Sequence, residues 1–267
     1  MFFRPAGQTH LNQEMLSSIM SGHDSPLNSP AHPAQAQHPS EITPSQKLPS
    51  GSQVLDQLLD GGFERDAITT IYGPAGSGKT NFCLLCLSQV AADKKIIYID
   101  TEGSFSLSRL AQILPDMKSI LSRMIFLNPT TFAEQKKAFE KLPALMNSTI
   151  GLIILDSVAM LYRLEFGRHN DISGTNKELG VQIGYLNEIA RKQHIPIIIT
   201  NQVYADFEDK SRINMVGGDL LKYQSKCLIE LQKLNNKRKA ILRKHRSLPD
   251  GKEVLFRIVQ GGVEIAT

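Results

Sequence analysis

The sequence is poor in cysteine: Cys83, Cys86 and Cys227 are the only three among 267 residues. So odd and sparse a set argues against a disulfide scaffold and for a reducing compartment. Cys83 and Cys86 form a C-x-x-C, but with no second such pair and no nearby histidine a zinc site is not expected. The pair reads either as a redox motif or as two small buried hydrophobes, and its position behind a stronger motif favours the second. Long apolar runs are also missing, so no membrane span is expected. The first residues lack a basic stretch followed by a long apolar one, so a secretory signal is not expected either, and the expected location is cytoplasmic. The apolar share is 41%, slightly below that of a typical globular domain, and the first part of the chain accounts for much of the deficit.

Residues 1–46 are punctuated by Pro5, Pro26, Pro30, Pro33, Pro39 and Pro44, and "SPAHPAQAQHPS" has no apolar period. Such a segment cannot bury enough surface to offset its ordering entropy, and a disordered tail is expected. One stretch, "HLNQEMLSSIM", has Leu11, Met15, Leu16 and Ile19 at helical spacing, compatible with a nascent amphipathic turn.

From Lys47 the text changes. Apolar runs at 67–73, 95–100, 123–128, 151–156 and 195–201 read as strands. They alternate with helical patterns at 79–92, 106–114, 131–146 and 176–193, which predicts an α/β domain over 47–267 with a mostly parallel central sheet flanked by helices. After residue 225, "KCLIELQKL", "RKAILRK", "EVLFRIV" and "GVEI" predict antiparallel strands extending that sheet.

Directly after the first strand stands Gly73-Pro74-Ala75-Gly76-Ser77-Gly78-Lys79-Thr80. This G-x-x-x-x-G-K-T, with a strand before it and a helix after it, is a phosphate-binding loop. Its glycines let backbone N–H groups face phosphate oxygens, and the helix N-terminus adds its positive end. Lys79 is a point charge for the β- and γ-phosphates, and the Thr80 hydroxyl can ligate Mg²⁺, which makes ATP and Mg the expected cofactors. Three more groups fall at predicted strand ends, where open α/β sheets place their ligands. Asp156 ends "GLIILD" and can hold Mg²⁺ through water. Glu102 follows "IIYIDT" and can orient or deprotonate a water. Gln202 follows "IIITN" and can sense the γ-phosphate. Each alone also reads as an ordinary polar strand end; together they are far more specific.

"LPSGSQVLDQLLDGGFERDAITTIYGPAGSGKT", "YIDTEGSFSLSRL", "LIILDSVAMLYR", "IITNQV" and "VGGD" follow one another here as they do in RecA-type recombinases of archaea and eukaryotes. The chain resembles that family over 47–267. Within it, the chain is most similar to the RadB group, short archaeal paralogues of the main recombinase RadA, with "LRKHRSLPDGKEVLFRI" as a supporting match. The resemblance implies a RecA-type ATPase core and several roles. Arg109 would lie over or beside the adenine. Residues 163–177 and 204–215 would be two DNA-facing loops, the second closed by Gly217-Gly218. Arg163, Arg168, Lys177, Lys210 and Arg212 would contact DNA phosphates, with Tyr204 or Phe207 stacking on a base. Glu165, Asp171, Asp206, Glu208 and Asp209 oppose that reading, and both stretches also read as solvated connections.

Two departures stand out. No helix-hairpin-helix module precedes the core, and where recombinases carry an acidic-proline cap over the neighbour's ATP this chain has Lys244-His245-Arg246. These are cations that could reach a phosphate across a subunit interface or on DNA. The formal net charge is +4, yet Lys226, Lys233, Lys237, Arg238, Lys239, Arg243, Lys244 and Arg246 lie between Lys222 and Lys252 against only Glu230 and Asp250. Lys237, Arg238, Lys239 and Arg243 read either as a DNA-backbone track or as an edge strand protected by its charge.

In the same family a short Phe-x-x-Ala peptide docks on a neighbouring core. Phe3-Arg4-Pro5-Ala6 matches it, so Phe3 and Ala6 read either as a partner-docking motif or as a chance match in an unstructured end. A tether of about 45 residues spans about 35–40 Å, enough to reach a neighbour. The expected partners are single-stranded or branched DNA, the recombinase RadA and a second copy of the chain. The expected function is that of an ATP- and DNA-binding mediator in recombination and repair, nucleoid-associated, with weak ATPase and no strand exchange of its own. An active filament-forming recombinase and a KaiC-like signalling ATPase are the alternatives.

Overall fold

Nine of the apolar runs pair into one sheet. The computed structural model describes residues 46–166, 172–205 and 213–266. The strands are β1 (Ile68–Tyr72), β2 (Lys95–Asp100), β3 (Met124–Leu127), β4 (Ile150–Asp156), β5 (Ile197–Asn201), β6 (Val203–Ala205), β7 (Ile213–Met215), β8 (Cys227–Lys233), β9 (Arg238–Lys244), β10 (Glu253–Val259) and β11 (Gly262–Ile265). The large sheet has the order β11-β10-β9-β8-β1-β5-β4-β2-β3, and β6 and β7 form a separate antiparallel ribbon. Strands β8, β1, β5, β4, β2 and β3 run parallel; β9, β10 and β11 extend the sheet antiparallel.

Strands buried on both faces need apolar residues throughout, which is why β1, β4 and β5 read as unbroken runs. Alternate side chains then serve two cores. On one face Ile71, Ile96, Tyr98, Ile154 and Ile198 pack against helices α1 (Gln53–Leu59), α2 (Lys79–Cys86), α3 (Leu107–Ile113) and α4 (Met117–Leu121). On the other, Ile68, Ile97, Ile153, Leu155 and Ile199 meet α5 (Phe132–Leu145), α6 (Met160–Phe166), α7 (Ile172–Gln193) and α8 (Gly218–Gln224). Each such side chain, fully removed from water, contributes about 1.5–3 kcal/mol before entropy is counted. Among the described residues, no helix is long and apolar enough to cross a membrane.

The nine strands of the large sheet fall close to where the sequence predicts them, whereas β6 and β7 lie at the two ends of a stretch read as a loop, and the helices match less closely. α2 stops at Cys86, where a 3-10 turn over Leu87–Gln89 takes over and Val90 becomes extended. α7 begins at Ile172, four residues before the expected start. Helices α1, α4, α6 and α8 were not anticipated; all have five to seven residues, too few for a clear period. The cysteines lie in the first core, where burial pushes the Cys83 and Cys86 thiols up and Cys227 to about 12, as suits small hydrophobes.

Candidate phosphate and nucleic-acid sites

The glycines of the 73–80 loop are there for space and for conformation. A Cβ on Gly73 would stand 2.4 Å from the Leu231 carbonyl oxygen of β8, and one on Gly78 would stand 3.3 Å from Ile258 of β10. Gly76 has φ +71 at the third position of a turn that Ser77 closes by donating its N–H to the Pro74 carbonyl at 3.2 Å. Lys79, 7% exposed, donates to the carbonyls of Gly73 at 3.0 Å and Pro74 at 3.2 Å. Burial holds its ammonium below the usual lysine range, against the pull of Glu102 and Asp156. The buried Ser77 hydroxyl has no partner, nor has the buried Ser157 hydroxyl next to Asp156. A loop with an idle buried donor and a largely desolvated lysine fits a polyphosphate.

Asp156, 1% exposed at the end of β4, gathers four hydroxyls, from α2, β2, the loop after β2 and β5. Thr80 donates to Oδ2 at 2.8 Å, Ser104 and Tyr98 donate to the same oxygen at 3.1 Å each, and Thr200 donates to Oδ1. Burial raises the carboxyl above its ordinary range while the hydroxyls hold it down. Thr80 and Asp156 form an oxygen-only donor set of the kind that holds Mg²⁺ together with nucleotide phosphates. Among the described residues no cluster of three or more His, Cys, Asp or Glu side chains could hold a metal unaided. An ion here would rely on the nucleotide for its remaining ligands.

Glu102 is aimed by its neighbour in sequence. The buried Asp100 carboxylate accepts the N–H groups of Glu102 and Ser104 at 3.2 Å and of Phe105 at 3.0 Å, folding the "DTEGSF" loop back over the end of β2. Gln202 then donates through Nε2 to Glu102 Oε1 at 3.0 Å. The structure thus brings Lys79, Thr80, Glu102, Asp156 and Gln202 to one end of one sheet.

Arg109 is held elsewhere in the same neighbourhood. Its Nε donates to Asn81 at 2.8 Å, and its terminal nitrogens donate to Gln112 and to the carbonyls of Val259, Gln260 and Gly262. It ties α3 to the β10–β11 turn. Ser104, Tyr98, Thr200 and Asp100 were not singled out in the sequence. Ser104 alone carries a local hint, two residues past Glu102.

The nucleic-acid candidates are dispersed. Arg163 lies on α6 and Lys177 on α7, both exposed. Tyr204, 43% exposed, sits on β6. Arg168, Lys210, Arg212, Phe207, Asp171, Asp206, Glu208 and Asp209 lie outside the described residues, as do Phe3 and Ala6. The β6–β7 ribbon is anchored to the phosphate end of the sheet: Asn201 Nδ2 donates to the Val216 carbonyl at 2.8 Å, and Val216 N–H donates to the Gln202 carbonyl at 3.1 Å.

The cations of the C-terminal strands mostly have partners within the chain. Lys239 pairs with Glu253 at 2.9 Å, and Arg243 with the buried Glu230 at 2.7 Å. Gln232 also donates to Glu230, at 2.6 Å. Arg238 Nε donates to the Gly76 carbonyl at 3.2 Å. Of the triplet at the cap position, Lys244 donates to the Lys222 carbonyl at 2.6 Å and Arg246 pairs with Asp66 and, at 2.7 Å, with Glu64. The buried His245 ring accepts at Nδ1 from the N–H groups of Ser247 and Leu248, each at 3.2 Å.

Residues 45–266 match the Rad51 family. The DNA repair and recombination protein RadB of Methanococcus maripaludis strain C7 is 44% identical over 215 residues, covering 79% of this chain and 98% of that protein. Its counterpart in Methanobrevibacter smithii is 39% identical over 226 residues, covering 81% and 95%. A crystal structure of the RadB recombinase superposes with a TM-score of 0.70 at 35% identity, covering 82% of this chain and 100% of that one.

Proposed function

The chain belongs to the Rad51 family, within its RadB group, and from that premise we propose that it is an ATP- and DNA-binding mediator of homologous recombination and repair. The observation that carries the ATP part is the convergence of Lys79, Thr80, Asp156, Glu102 and Gln202 at the C-terminal ends of β1, β4, β2 and β5. The 73–80 loop holds the phosphates, and Arg109 lies at the adenine end. Thr80 and Asp156 would hold Mg²⁺, which would supply positive charge against the nucleotide's phosphates. Glu102 orients or deprotonates the attacking water, and Gln202, hydrogen-bonded to it, reports the occupancy of that space to the β6–β7 ribbon.

The mediator part is supported by how the chain spends its cap-position cations. Lys244 and Arg246 are engaged within the chain, and the buried His245 accepts from its own backbone. Groups so engaged are poorly placed to complete a neighbour's ATP site, which favours weak hydrolysis and no strand exchange of its own. DNA, single-stranded or branched, meets the track of Lys237, Arg238, Lys239 and Arg243 and the stretches bearing Arg163, Arg168, Lys177, Lys210 and Arg212. Phe3 and Ala6 dock on the RadA core or on a second copy, and the protein works in the cytoplasm, on the nucleoid.

The test measures ATP turnover and DNA binding together, with RadA present and absent. The mediator reading expects slow turnover, salt-sensitive DNA retention and co-purification with RadA that Phe3→Ala abolishes. Robust turnover stimulated by single-stranded DNA would replace it with an active recombinase. Turnover without salt-sensitive DNA retention would replace it with a signalling ATPase.

A further inference from the structure

The phosphate loop is gripped from outside by the β8–β9 hairpin. The Leu231 carbonyl abuts Gly73, Arg238 Nε donates to the Gly76 carbonyl at 3.2 Å, and Lys233 Nζ stands 3.8 Å from where a Cβ on Gly76 would be. Phe256 and Ile258 of β10 lie against Gly78. Lys233 is exposed and makes no ion pair among the described residues. The acidic group nearest to it in sequence, Glu230, is taken by Arg243 and Gln232.

We infer that Arg238 is a positioning residue of the nucleotide site and that Lys233 supplies a further cation for the phosphates, both from the same chain as the loop. The inference rests on the ATP reading above and adds two residues to it. The peptide between Gly76 and Ser77 is the apex of the loop. It is planar and trans, so its carbonyl and its N–H point to opposite sides. Arg238 holds the carbonyl from outside, and on the other side the Ser77 N–H closes the turn on Pro74. A glycine-rich loop has more backbone freedom to lose on binding than any other, so a donor that fixes one of its peptides before the ligand arrives strengthens binding. The bond is charge-assisted, the stronger kind. Lys233 acts differently. It is a compact charge on a flexible stem, and its effect scales with the charge of the ligand. The two contributions are therefore separable: Arg238 strengthens binding of any nucleotide that fills the loop, and Lys233 favours the triphosphate over the diphosphate.

The experiment titrates fluorescent ATP and ADP analogues with Mg²⁺ into the full chain without DNA. It compares wild type, Arg238→Ala, Arg238→Lys, Lys233→Ala and Lys79→Ala, and checks each for an unchanged thermal midpoint. Arg238→Ala is expected to weaken ATP and ADP alike by about tenfold, and Arg238→Lys, which keeps a charged donor, to recover to within about threefold of wild type. Lys233→Ala is expected to weaken ATP about fivefold and ADP by less than twofold. ATP affinities within twofold of wild type for both alanine variants, with binding abolished in Lys79→Ala, would overturn the inference and leave the ATP site standing. Unchanged binding in Lys79→Ala would overturn the ATP reading and the inference with it. Should Arg238→Ala not fold, Lys233→Ala still decides through the ATP-over-ADP ratio, since its side chain is exposed.

Discussion

Gln202 donates a 3.0 Å hydrogen bond to Glu102, one residue beyond β5 to two residues beyond β2. Strand β4 lies between those two strands, so the bond crosses the mouth of the site above Asp156. Gln202 also accepts the Val216 N–H on its backbone carbonyl. One residue therefore touches both the group placed to handle water and the ribbon leading to residues 206–212. A γ-phosphate entering between Glu102 and Gln202 would compete for this bond.

That relationship separates chemistry from binding. Glu102→Gln keeps the shape of the side chain and removes its charge. It is expected to slow ATP turnover by about 10²-fold or more, while nucleotide affinity stays within about threefold. Phosphate release and fluorescent-nucleotide titration on the same preparations check this; equal losses in both would mean that Glu102 serves binding alone.

Lys79→Ala tests whether nucleotide and DNA are held by different surfaces. Lys79 is buried inside the loop, whereas Lys237 to Arg243 lie on β9 and the turn before it. ATP affinity is expected to fall at least about tenfold and nucleotide-free DNA affinity to change by less than about threefold. Anisotropy with labelled single-stranded DNA reads the second quantity. Complete loss of DNA binding would show that retention requires the nucleotide loop.

Glu230→Gln should release a cation to the DNA face. The buried Glu230 carboxylate neutralises Arg243, whose side chain is 43% exposed. Removing that charge is expected to steepen the salt dependence of single-stranded DNA binding by up to about 0.7 in log–log slope, the weight of one phosphate contact that Glu230 no longer competes for. Stability should fall by about 1–2 kcal/mol, modest because Arg243 can turn to water. A slope unchanged from wild type would leave the β9 cations as solvated surface charge; β9 is no edge strand, being paired by β8 and β10.

What could be read in advance was what is local. The phosphate loop is eight consecutive residues whose function follows from spacing, although the contacts that hold it from β8, β9 and β10 do not. Asp156, Glu102 and Gln202 were visible because each ends an apolar run. The hydroxyls on Asp156 were not, since Tyr98, Ser104 and Thr200 come from β2, the loop after it and β5, and only Ser104, near Glu102, is marked by its immediate sequence. The β9 cations show the same limit from the other side. Their charge was countable, but their partners were not. Glu230 and Glu253 reach Arg243 and Lys239 through antiparallel register, and Arg238 reaches Gly76 across 162 positions.

His245 sets an acid limit on stability. Its side chain is buried, and burial holds its pKa below the ordinary histidine value, against the raising effect of Glu64; Lys47 and Arg246 add to the depression and Asp60 opposes it. Accepting two backbone N–H groups at Nδ1 requires the neutral ring, which fits the same direction. For a group whose pKa is lower folded than unfolded, the unfolded chain takes up the proton first. The stabilisation is therefore fully present above about pH 6.5 and is lost as pH falls through the lower, folded value. His245→Asn keeps an acceptor at the place of Nδ1 and removes the titration. The thermal midpoint of wild type should drop between pH 7.5 and pH 5, and that of His245→Asn should drop less over the same interval. Asp66, held below the usual carboxylate range by its bond to Arg246, titrates lower still and contributes little in this window. Equal drops in the two proteins would move the acid limit away from His245.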